Sequence, residues 1–414
     1  MSDSRLTRLH IKHFRSVADQ TIDLSDMTIL VGQNATGKSN VVDAVRFMRD
    51  ALADGLDQAV SIRNGVRVVR QASQSKKPFN IELKLEYKIE DRRAHVNLFN
   101  ESRAIAASYG FKLSSNNDEI KVIEESGDLI HSELFFHSDG EHDFLPIGAS
   151  PFLRKKDGSI IVGSKIFKSS VPDDELVVSR ASGVPLYVEE FLSSQAIFSL
   201  ILQYSRFSAI YPNVMRAPAP SQAAGVLSED CRNWASVLRA MKKSDEGVSS
   251  LNKIIALMRH VLPQLEDVYV KGIGGFLVPH FRFSRGLGRR DLDLIPYQLS
   301  DGTLRLFGLL LALYQSPPAS FLAIEEPEQM IHPGALRVLA DAFNEAKERT
   351  QLMITTHSPY LLDLFDPDSI RVVSQDEHGT VVDRVSEKQL SIVRDRLMTL
   401  PEIMVLDGLR GEGR

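Results

Sequence analysis

The sequence is poor in cysteine, since Cys231 is the one cysteine among 414 residues. A framework of disulfide bonds is therefore excluded within the chain, and so is a zinc site built from several thiolates. Such cysteine usage is typical of the reducing cytosol, and we expect a cytoplasmic protein.

Long apolar runs are also missing. The most apolar stretch, residues 306–314, is far shorter than the ~20 residues that a membrane-spanning helix needs. The N-terminal residues alternate in a strand-like pattern and lack the apolar core of a signal peptide. We therefore expect no contact with a membrane.

An excess of positive charge is absent as well, because the formal net charge is −5. No overall field draws the chain to nucleic acid, so such contact would need a local basic patch. Two runs are candidates, one with Arg282, Arg285, Arg289 and Arg290 and the other starting at Arg154. Runs of this kind more often belong to solvated loops, so nucleic acid stays an open alternative as a partner.

What the chain does contain is a phosphate-binding motif. Residues 32–39 read GQNATGKS, which fits the pattern G-x-x-x-x-G-K-S. The glycines let backbone N–H groups point at phosphate oxygens, Lys38 adds positive charge, and Ser39 offers a hydroxyl to Mg²⁺. An apolar strand precedes the motif and a helical pattern follows it, which places the anion at a helix N-terminus. The predicted nucleotide-binding residues are Gly32, Gln33, Asn34, Ala35, Thr36, Gly37, Lys38, Ser39 and Asn40.

Glutamates follow an apolar stretch near the other end of the chain. Residues 321–324 form the continuous apolar run of a strand buried on both faces of a parallel sheet, and Glu325 and Glu326 come next. Ligands of open α/β sheets bind at the carboxyl edge of the strands. We expect Glu325 to hold Mg²⁺ through water, and Glu326 to act as general base or to orient the attacking water. Glu328 is expected to be supporting or solvated.

Two further segments carry polar residues next to buried elements. Ser300 precedes an almost wholly apolar helix, where it suits the N-cap, and Gly302 leaves backbone N–H groups open to an anion. His357 follows the predicted strand 352–354 and can hydrogen-bond a γ-phosphate. Taken alone, a plain helix cap explains each of these residues as well.

The pattern along the chain predicts four regions. Residues 1–60 and 294–414 read as two halves of one nucleotide-binding α/β domain. Between them we expect a β-rich region, residues 61–180, with short antiparallel strands and a half-buried strand at 79–87. Residues 181–293 are expected to form a helical arm with helices near 188–204, 234–241 and 251–258.

Together these segments resemble the ABC-type head ATPases of the SMC, RecF and OLD group, and most closely the compact RecF-like ATPases of the AAA family. The matching segments are residues 11–16, 32–39, the signature 299–303, the Walker B region 324–328, the D-loop 331–333 and the switch-histidine segment 356–359. The resemblance implies an α/β fold: a P-loop head with a mixed sheet flanked by helices, an antiparallel β subdomain and a central α+β insertion. The Q-loop glutamine of the family is not obvious, and Gln71 and Gln74 are candidates.

The resemblance also implies a mechanism. ATP and Mg²⁺ would be the cofactors of a slow or partner-regulated ATPase, with Glu326 and His357 as catalytic residues. Two copies would form a head-to-tail homodimer, in which Ser300 and Gly302 of one protomer meet the γ-phosphate that the other binds.

Three functions follow from the resemblance. The segment after His357 is too short for the Toprim nuclease of OLD proteins, so the first is a switch that controls a separately encoded effector, often a nuclease, in anti-phage defence. The second is a DNA-repair ATPase that binds DNA, and the third is an ATP-stabilised scaffold with negligible turnover.

Overall fold

The structure is a computed structural model that describes residues 4–70, 79–89, 103–116, 119–136, 142–149, 151–162, 165–168, 171–177, 205–221, 226–286, 290–406 and 408–412. The strands, numbered β1 to β19 in chain order, are Ser4–Phe14, Val17–Asp23, Met27–Val31, Phe79–Ile89, Arg103–Asn116, Glu119–Phe136, His142–Ala149, Phe152–Lys155, Ser159–Val162, Lys165–Lys168, Ser205–Ser208, Ala219–Pro220, Leu265–Ile273, Phe276–Phe283, Leu292–Leu294, Phe321–Glu325, Gln351–Thr356, Ile370–Gln375 and Thr380–Arg384. The α-helices, numbered α1 to α11, are Lys38–Ala53, Leu56–Ser61, Val66–Val69, Pro212–Arg216, Trp234–Met241, Asp245–Arg259, Asp301–Tyr314, Pro333–Ala346, Pro359–Leu362, Glu387–Arg394 and Leu400–Leu406.

Most of these strands join one large mixed sheet. Over the described residues its order is β10-β9-β8-β6-β5-β4-β1-β2-β19-β18-β3-β17-β16-β11, and β7 also pairs with β6. The strands from β18 to β11 are parallel, whereas those from β10 to β2 are antiparallel. A second sheet contains β12, β14, β13 and β15.

The N-terminal strand β3 lies inside the C-terminal part of the sheet. It pairs in parallel with β17 on one side and with β18 on the other, so that Val31 lies opposite Thr356 and Val372. The two ends of the chain therefore share one sheet. Alternate residues of β3 enter two hydrophobic cores, with Leu30 on one face and Ile29 and Val31 on the other. This two-sided burial explains the continuous apolar sequence of the parallel strands.

The antiparallel extension differs from the expected short strands. The predicted strand at 79–87 is present as β4, with Ile81, Leu83 and Leu85 fully buried. The prediction of short strands was wrong for β5 and β6, which have 14 and 18 residues. These strands pair along their length, because their registers allow the ladder to continue past two small irregularities.

Helices α5 and α6 do not form a separate arm. Their apolar faces belong to the same hydrophobic core as α7 and α8. The Trp234 ring of α5 packs against Phe307 of α7 and Phe281 of β14, with centroids 5.6 Å and 6.2 Å apart. The expected helix at 188–204 lies outside the described residues, and the predicted domain boundaries stay predictions.

Candidate functional site

The phosphate-binding motif forms the connection between β3 and α1. All five residues of β3 are buried, and α1 begins at Lys38. Gly37 is the N-cap with φ of 103°, in the left-handed region that side chains rarely adopt. A Cβ atom at Gly37 would lie 2.0 Å from Oγ1 of Thr380, so both conformation and space require glycine there. Ala35 also has a positive φ, 64°, a conformation that glycine adopts without the steric cost that a Cβ atom brings.

The Lys38 side chain folds back over the loop. Lys38 is only 5% exposed, and its Nζ donates hydrogen bonds of 2.8 Å to the carbonyl oxygens of Gly32 and Gln33. Burial lowers the pKa of Lys38, and the opposing attraction comes from the carboxylates of Glu326, Glu328 and Glu325. The structure thus brings the lysine of the N-terminal motif near the predicted C-terminal carboxylates.

A chain of hydrogen bonds through Ser16 and Thr380 supports the backbone of the loop. The Asn40 amide donates to Ser16 Oγ at 2.6 Å, and Ser16 Oγ lies 2.6 Å from Thr380 Oγ1. Thr380 Oγ1 donates its proton to the carbonyl of Thr36 at 2.9 Å, so Ser16 is the donor to Thr380. The first residue of β19, Thr380, therefore fixes the loop backbone next to Gly37. Sequence reasoning missed Thr380, because no local pattern connects it with residues far away in the chain.

The sheet register places the acidic residues at the same edge as the loop. β17 lies between β3 and β16, with Thr356 opposite Val31 and Thr355 opposite Glu325. Because the three strands are parallel, their carboxyl ends meet at one edge, where the phosphate-binding loop begins.

Glu326 adopts a strained backbone conformation with φ of 45°. Its N–H donates to Thr355 O at 2.9 Å, and its carboxylate accepts a hydrogen bond from the Gln329 amide. Nδ1 of His357 lies 3.5 Å from Glu326 Oε1. Left-handed non-glycine residues cost about 1–3 kcal/mol and cluster at functional sites. The structure thus brings together the two residues predicted to be catalytic.

Glu328 is buried rather than solvated, with a side chain 8% exposed. Its Oε1 accepts hydrogen bonds from Thr356 Oγ1 at 2.6 Å and from the His357 N–H at 3.2 Å. The same oxygen lies 3.7 Å from His357 Nδ1, and Oε2 is buried without a hydrogen-bond partner. Of the two roles expected for Glu328, the solvated one was wrong, and the supporting one fits its contacts with the backbone that carries His357.

The signature segment begins α7. Ser300 is the exposed N-cap, and its Oγ accepts from the Thr303 N–H at 3.2 Å. Asp301 forms a 2.6 Å salt bridge with Arg216, which also donates to the Leu299 carbonyl at 2.9 Å. The arginine offsets a carboxylate that would otherwise repel an anion at this N-terminus.

The polar groups of the loop and of the adjacent strand end fit a magnesium-bound nucleotide. The loop offers a positive-φ glycine cradle, a buried ammonium group and the N-terminus of a 16-residue helix that no side chain caps. Ser39 is exposed at that turn, and Glu325 ends β16, so a hydroxyl and a carboxylate are available as hard oxygen ligands. Among the described residues, no three His, Cys, Asp or Glu side chains gather as a metal site. Mg²⁺ bound to a nucleotide typically takes one or two protein ligands besides phosphate and water.

The basic runs are only partly available to a partner. Arg154 is 1% exposed and donates to the carbonyls of Val171 and Pro172, so it was wrongly expected at the surface. Arg282 is engaged by Asp293 at 3.1 Å, and that carboxylate raises the pKa of Arg282 through a hydrogen bond. Arg285 and Arg290 are exposed. The candidate residues Arg289, Gln71 and Gln74 lie outside the described part of the chain.

Two family models match the chain. The one described as "AAA domain, putative AbiEii toxin, Type IV TA system" matches residues 191–363, and the one described as "AAA ATPase domain" matches residues 5–146. Among curated proteins, the chain is similar to the DNA replication and repair protein RecF of Trichormus variabilis and of Nostoc sp., each 48% identical over 44 residues. That stretch covers 10% of this chain and 12% of the length of each relative.

Solved structures of SMC heads share the fold. A head bound to the C-winged helix domain of ScpA has a TM-score of 0.53 at 15% identity, covering 94% of this chain and 99% of that one. A head with an extended coiled coil, bound to the C-terminal domain of ScpA derived from Pyrococcus furiosus, has a TM-score of 0.53 at 13% identity, covering 95% and 100%. The predicted fold class is confirmed.

The chain therefore has the fold of an SMC head. Two of its segments match AAA ATPase family models, and a short stretch is similar to RecF. None of its described helices combines the length and the apolar character needed to cross a bilayer.

Proposed function

We propose that this protein binds and hydrolyses ATP as a dimeric switch, and that it controls a separately encoded effector in anti-phage defence. The observation that supports hydrolysis most strongly is the convergence of three motifs at one sheet edge. The phosphate-binding loop follows β3, Glu325 and Glu326 end β16, and His357 follows β17, with β17 paired to both other strands.

The residues of the proposed site have separate roles. Residues 32–40 hold the phosphates through backbone N–H groups and Lys38, while Ser39 and Glu325 hold Mg²⁺. The ion would neutralise charge on the β- and γ-phosphates. The Glu326 carboxylate orients the attacking water or accepts its proton, and His357 hydrogen-bonds the γ-phosphate.

The exposed N-terminus of α7 supports the head-to-tail dimer. Ser300 is exposed at this N-terminus, where the helix dipole favours an anion, and the neighbouring large residue Tyr297 is 65% exposed. The γ-phosphate of a nucleotide held by one copy would meet Ser300 and Gly302 of the other. Such a contact exists only with ATP, so it favours the closed dimer until hydrolysis removes it.

A partnered role has weaker support. The description of one matched family names a toxin–antitoxin system, and the similar SMC heads are described in complexes with ScpA. Both point to heads that act with another protein. We propose that the effector is a nuclease and that the location is cytoplasmic.

The deciding experiment is Glu326→Gln, measured by ATP turnover and by size-exclusion chromatography with light scattering. We expect turnover to fall by roughly 10²–10⁴-fold, as for loss of a general base. Mg-ATP should shift this variant to a dimer that retains the nucleotide. Glu348→Gln, which changes an exposed acid, is the control and should behave as the unmodified protein. Unchanged turnover in Glu326→Gln would show that Glu326 is not catalytic, and absence of turnover in the unmodified protein would favour the scaffold alternative.

A second candidate function, a DNA-repair ATPase, is favoured by the short likeness to RecF. The exposed Arg285 and Arg290 lie before the signature and would contact phosphates. Stimulation of turnover by DNA, lost as salt is raised and reduced in the variant Arg285→Ala/Arg290→Ala, would support this candidate. Turnover indifferent to DNA would count against it.

A further inference from the structure

An arginine lies inside the apolar helix α7. Arg305 is 6% exposed and is flanked in sequence by the buried Leu304 and Leu306. Burial lowers the pKa of its guanidinium group, and the nearby carboxylates of Glu328 and Glu326 oppose this effect. A buried charge is costly unless its hydrogen bonds are made. The contacts that offset the cost of burying Arg305 therefore indicate its role.

Those contacts join three elements of the chain. Nη1 donates to the carbonyl of Ile210 at 2.6 Å, just after β11, and Nη2 donates to the carbonyl of Glu326 at 2.9 Å. Both acceptors are backbone oxygens, so the arginine fixes the course of the chain rather than a side chain. The planar fork of a guanidinium group can serve two such acceptors at once, which a lysine cannot do in the same geometry.

Both backbone polar groups of Glu326 are therefore bound by other elements. Its N–H is bound by Thr355 O at 2.9 Å, and its carbonyl is bound by Arg305. A residue with φ of 45° persists only where its surroundings determine it strongly. The Gln329 N–H also donates to the Glu326 carbonyl, at 3.2 Å, from within the same segment. Arg305 supplies the contact from α7 that helps to keep the carboxylate-bearing residue in this conformation.

A second contact joins the same two segments. A Cβ atom at Gly302, in the first turn of α7, would lie 2.4 Å from the carbonyl oxygen of Met330. Helix α7 therefore approaches the segment 326–331 at two places. Arg305 contacts Glu326 at the start of the segment, and Gly302 packs against Met330 near its end. A displacement of the first turn of α7 must move this segment with it, because close-packed elements transmit strain.

We infer that Arg305 is a positioning residue that couples the first turn of α7 to Glu326. An anion bound at Ser300 would then change the geometry of the catalytic carboxylate in the same protomer. The inference rests on the proposed function, in which that anion belongs to the nucleotide held by the partner. Each nucleotide would in this way act on two catalytic sites, one through the protein that binds it and one through α7 of the other copy.

The test is Arg305→Met, which keeps the length and apolar stem of the side chain and removes its donors. Arg371→Met is a matched control, because Arg371 is also 6% exposed and donates hydrogen bonds to the carbonyls of Asp23, Asp368 and Ile370, away from α7. Arg305→Lys is the second variant, in case the methionine protein does not fold. Amide hydrogen exchange of residues 326–331, ATP affinity and turnover are measured for each protein with and without Mg-ATP.

We expect faster exchange of residues 326–331 in Arg305→Met without nucleotide, and no added protection of this segment by Mg-ATP. Protection of residues 32–40 and of 300–303 should stay as in the unmodified protein, and ATP affinity should change by less than about twofold, while turnover falls roughly tenfold. Arg305→Lys should share these defects. Arg371→Met should lower thermal stability and leave the nucleotide-dependent protection of residues 326–331 intact.

Two results would overturn the coupling. One is normal exchange and turnover in Arg305→Met. The other is a general loss of protection and of nucleotide binding in Arg305→Met, not confined to residues 326–331, which would show a purely structural role. If the unmodified protein itself shows no protection of residues 300–303 by Mg-ATP, the proposed dimer fails and the coupling falls with it, whereas protection that persists at 326–331 in Arg305→Met refutes the coupling alone.

Discussion

The phosphate-binding loop and the Glu326–Ile331 segment, here called the catalytic turn, solve a similar problem in different ways. Each contains a non-glycine residue with positive φ, Ala35 at 64° and Glu326 at 45°. The loop carries its chemistry in consecutive residues and takes one distant support, Thr380. The turn depends on groups from α7 and β17 for its shape. A contiguous motif thus reveals the binding chemistry, whereas the geometry of the turn is set by residues that no motif contains.

The largest effect is expected at the loop, for Lys38→Ala. Removal of the ammonium group should weaken ATP binding by at least about 100-fold, because charge-assisted contacts to phosphate are worth roughly 1.5–3 kcal/mol each. Isothermal titration with Mg-ATP measures the affinity. Lys243→Ala removes an exposed lysine and should bind normally. Affinity within twofold of the unmodified value in Lys38→Ala would remove the loop from the proposed site.

At the catalytic turn, Glu328→Ala should lower turnover by roughly 10–100-fold while ATP affinity holds, since it affects only positioning. Glu328→Gln keeps an oxygen that accepts from Thr356 and from the His357 N–H, and should retain most of the activity. Steady-state kinetics distinguishes the two variants.

Coupling to His357 sharpens this comparison. If Glu328 acts through His357, the double variant Glu328→Ala/His357→Ala should be no slower than His357→Ala alone. Multiplied losses would show that Glu328 acts independently of the histidine.

A smaller effect is expected where the loop receives its distant support. Thr380→Val preserves shape but removes the hydroxyl between Ser16 and Thr36, at a cost of about 1 kcal/mol. We expect ATP affinity to fall by roughly five- to tenfold, as measured by titration. Thr380→Ser should restore it, and an affinity equal to the unmodified protein in Thr380→Val would mean that the hydrogen-bond chain does not shape the loop.

The smallest effect is expected for Ala35→Gly. Relief of the left-handed backbone should raise the free energy of unfolding by up to ~1 kcal/mol, partly offset by the greater freedom of glycine in the unfolded chain. Ala51→Gly, in the interior of α1, should instead lower it by about 1 kcal/mol or more. Denaturant unfolding measures both, and destabilisation by Ala35→Gly would show that residue 35 is not strained.

Sequence patterns predicted the parts of the fold where chemistry and periodicity are local. The apolar strands β3, β16 and β17 and the N-cap at Ser300 all lie where the patterns indicate. Periodicity could not tell that the helix containing Trp234 packs against α7, because amphipathic helices look alike whatever they cover. A run of basic residues likewise looks the same whether its members are exposed or buried, so it did not reveal that Arg154 is buried.

The site shows the same division. The positions of Lys38, Glu326 and His357 at one edge follow from strands that are recognisable in sequence. Arg305 gave a local signal, a charged residue within a helix that is otherwise apolar, but its acceptors at Ile210 and Glu326 come from separate segments. Residue assignments at the site stay predictions until the variants are measured.

The position of β3 has a consequence for how the protein is made. Residues 27–31 leave the ribosome long before their neighbours in the sheet, residues 351–356 and 370–372, have been synthesised. Contacts between such distant segments form slowly, and an unpaired apolar strand is prone to aggregate while it waits. The nascent chain should therefore carry an incomplete nucleotide pocket until residues 351–372 have been made, and truncation before residue 351 should leave the phosphate-binding motif without a folded site.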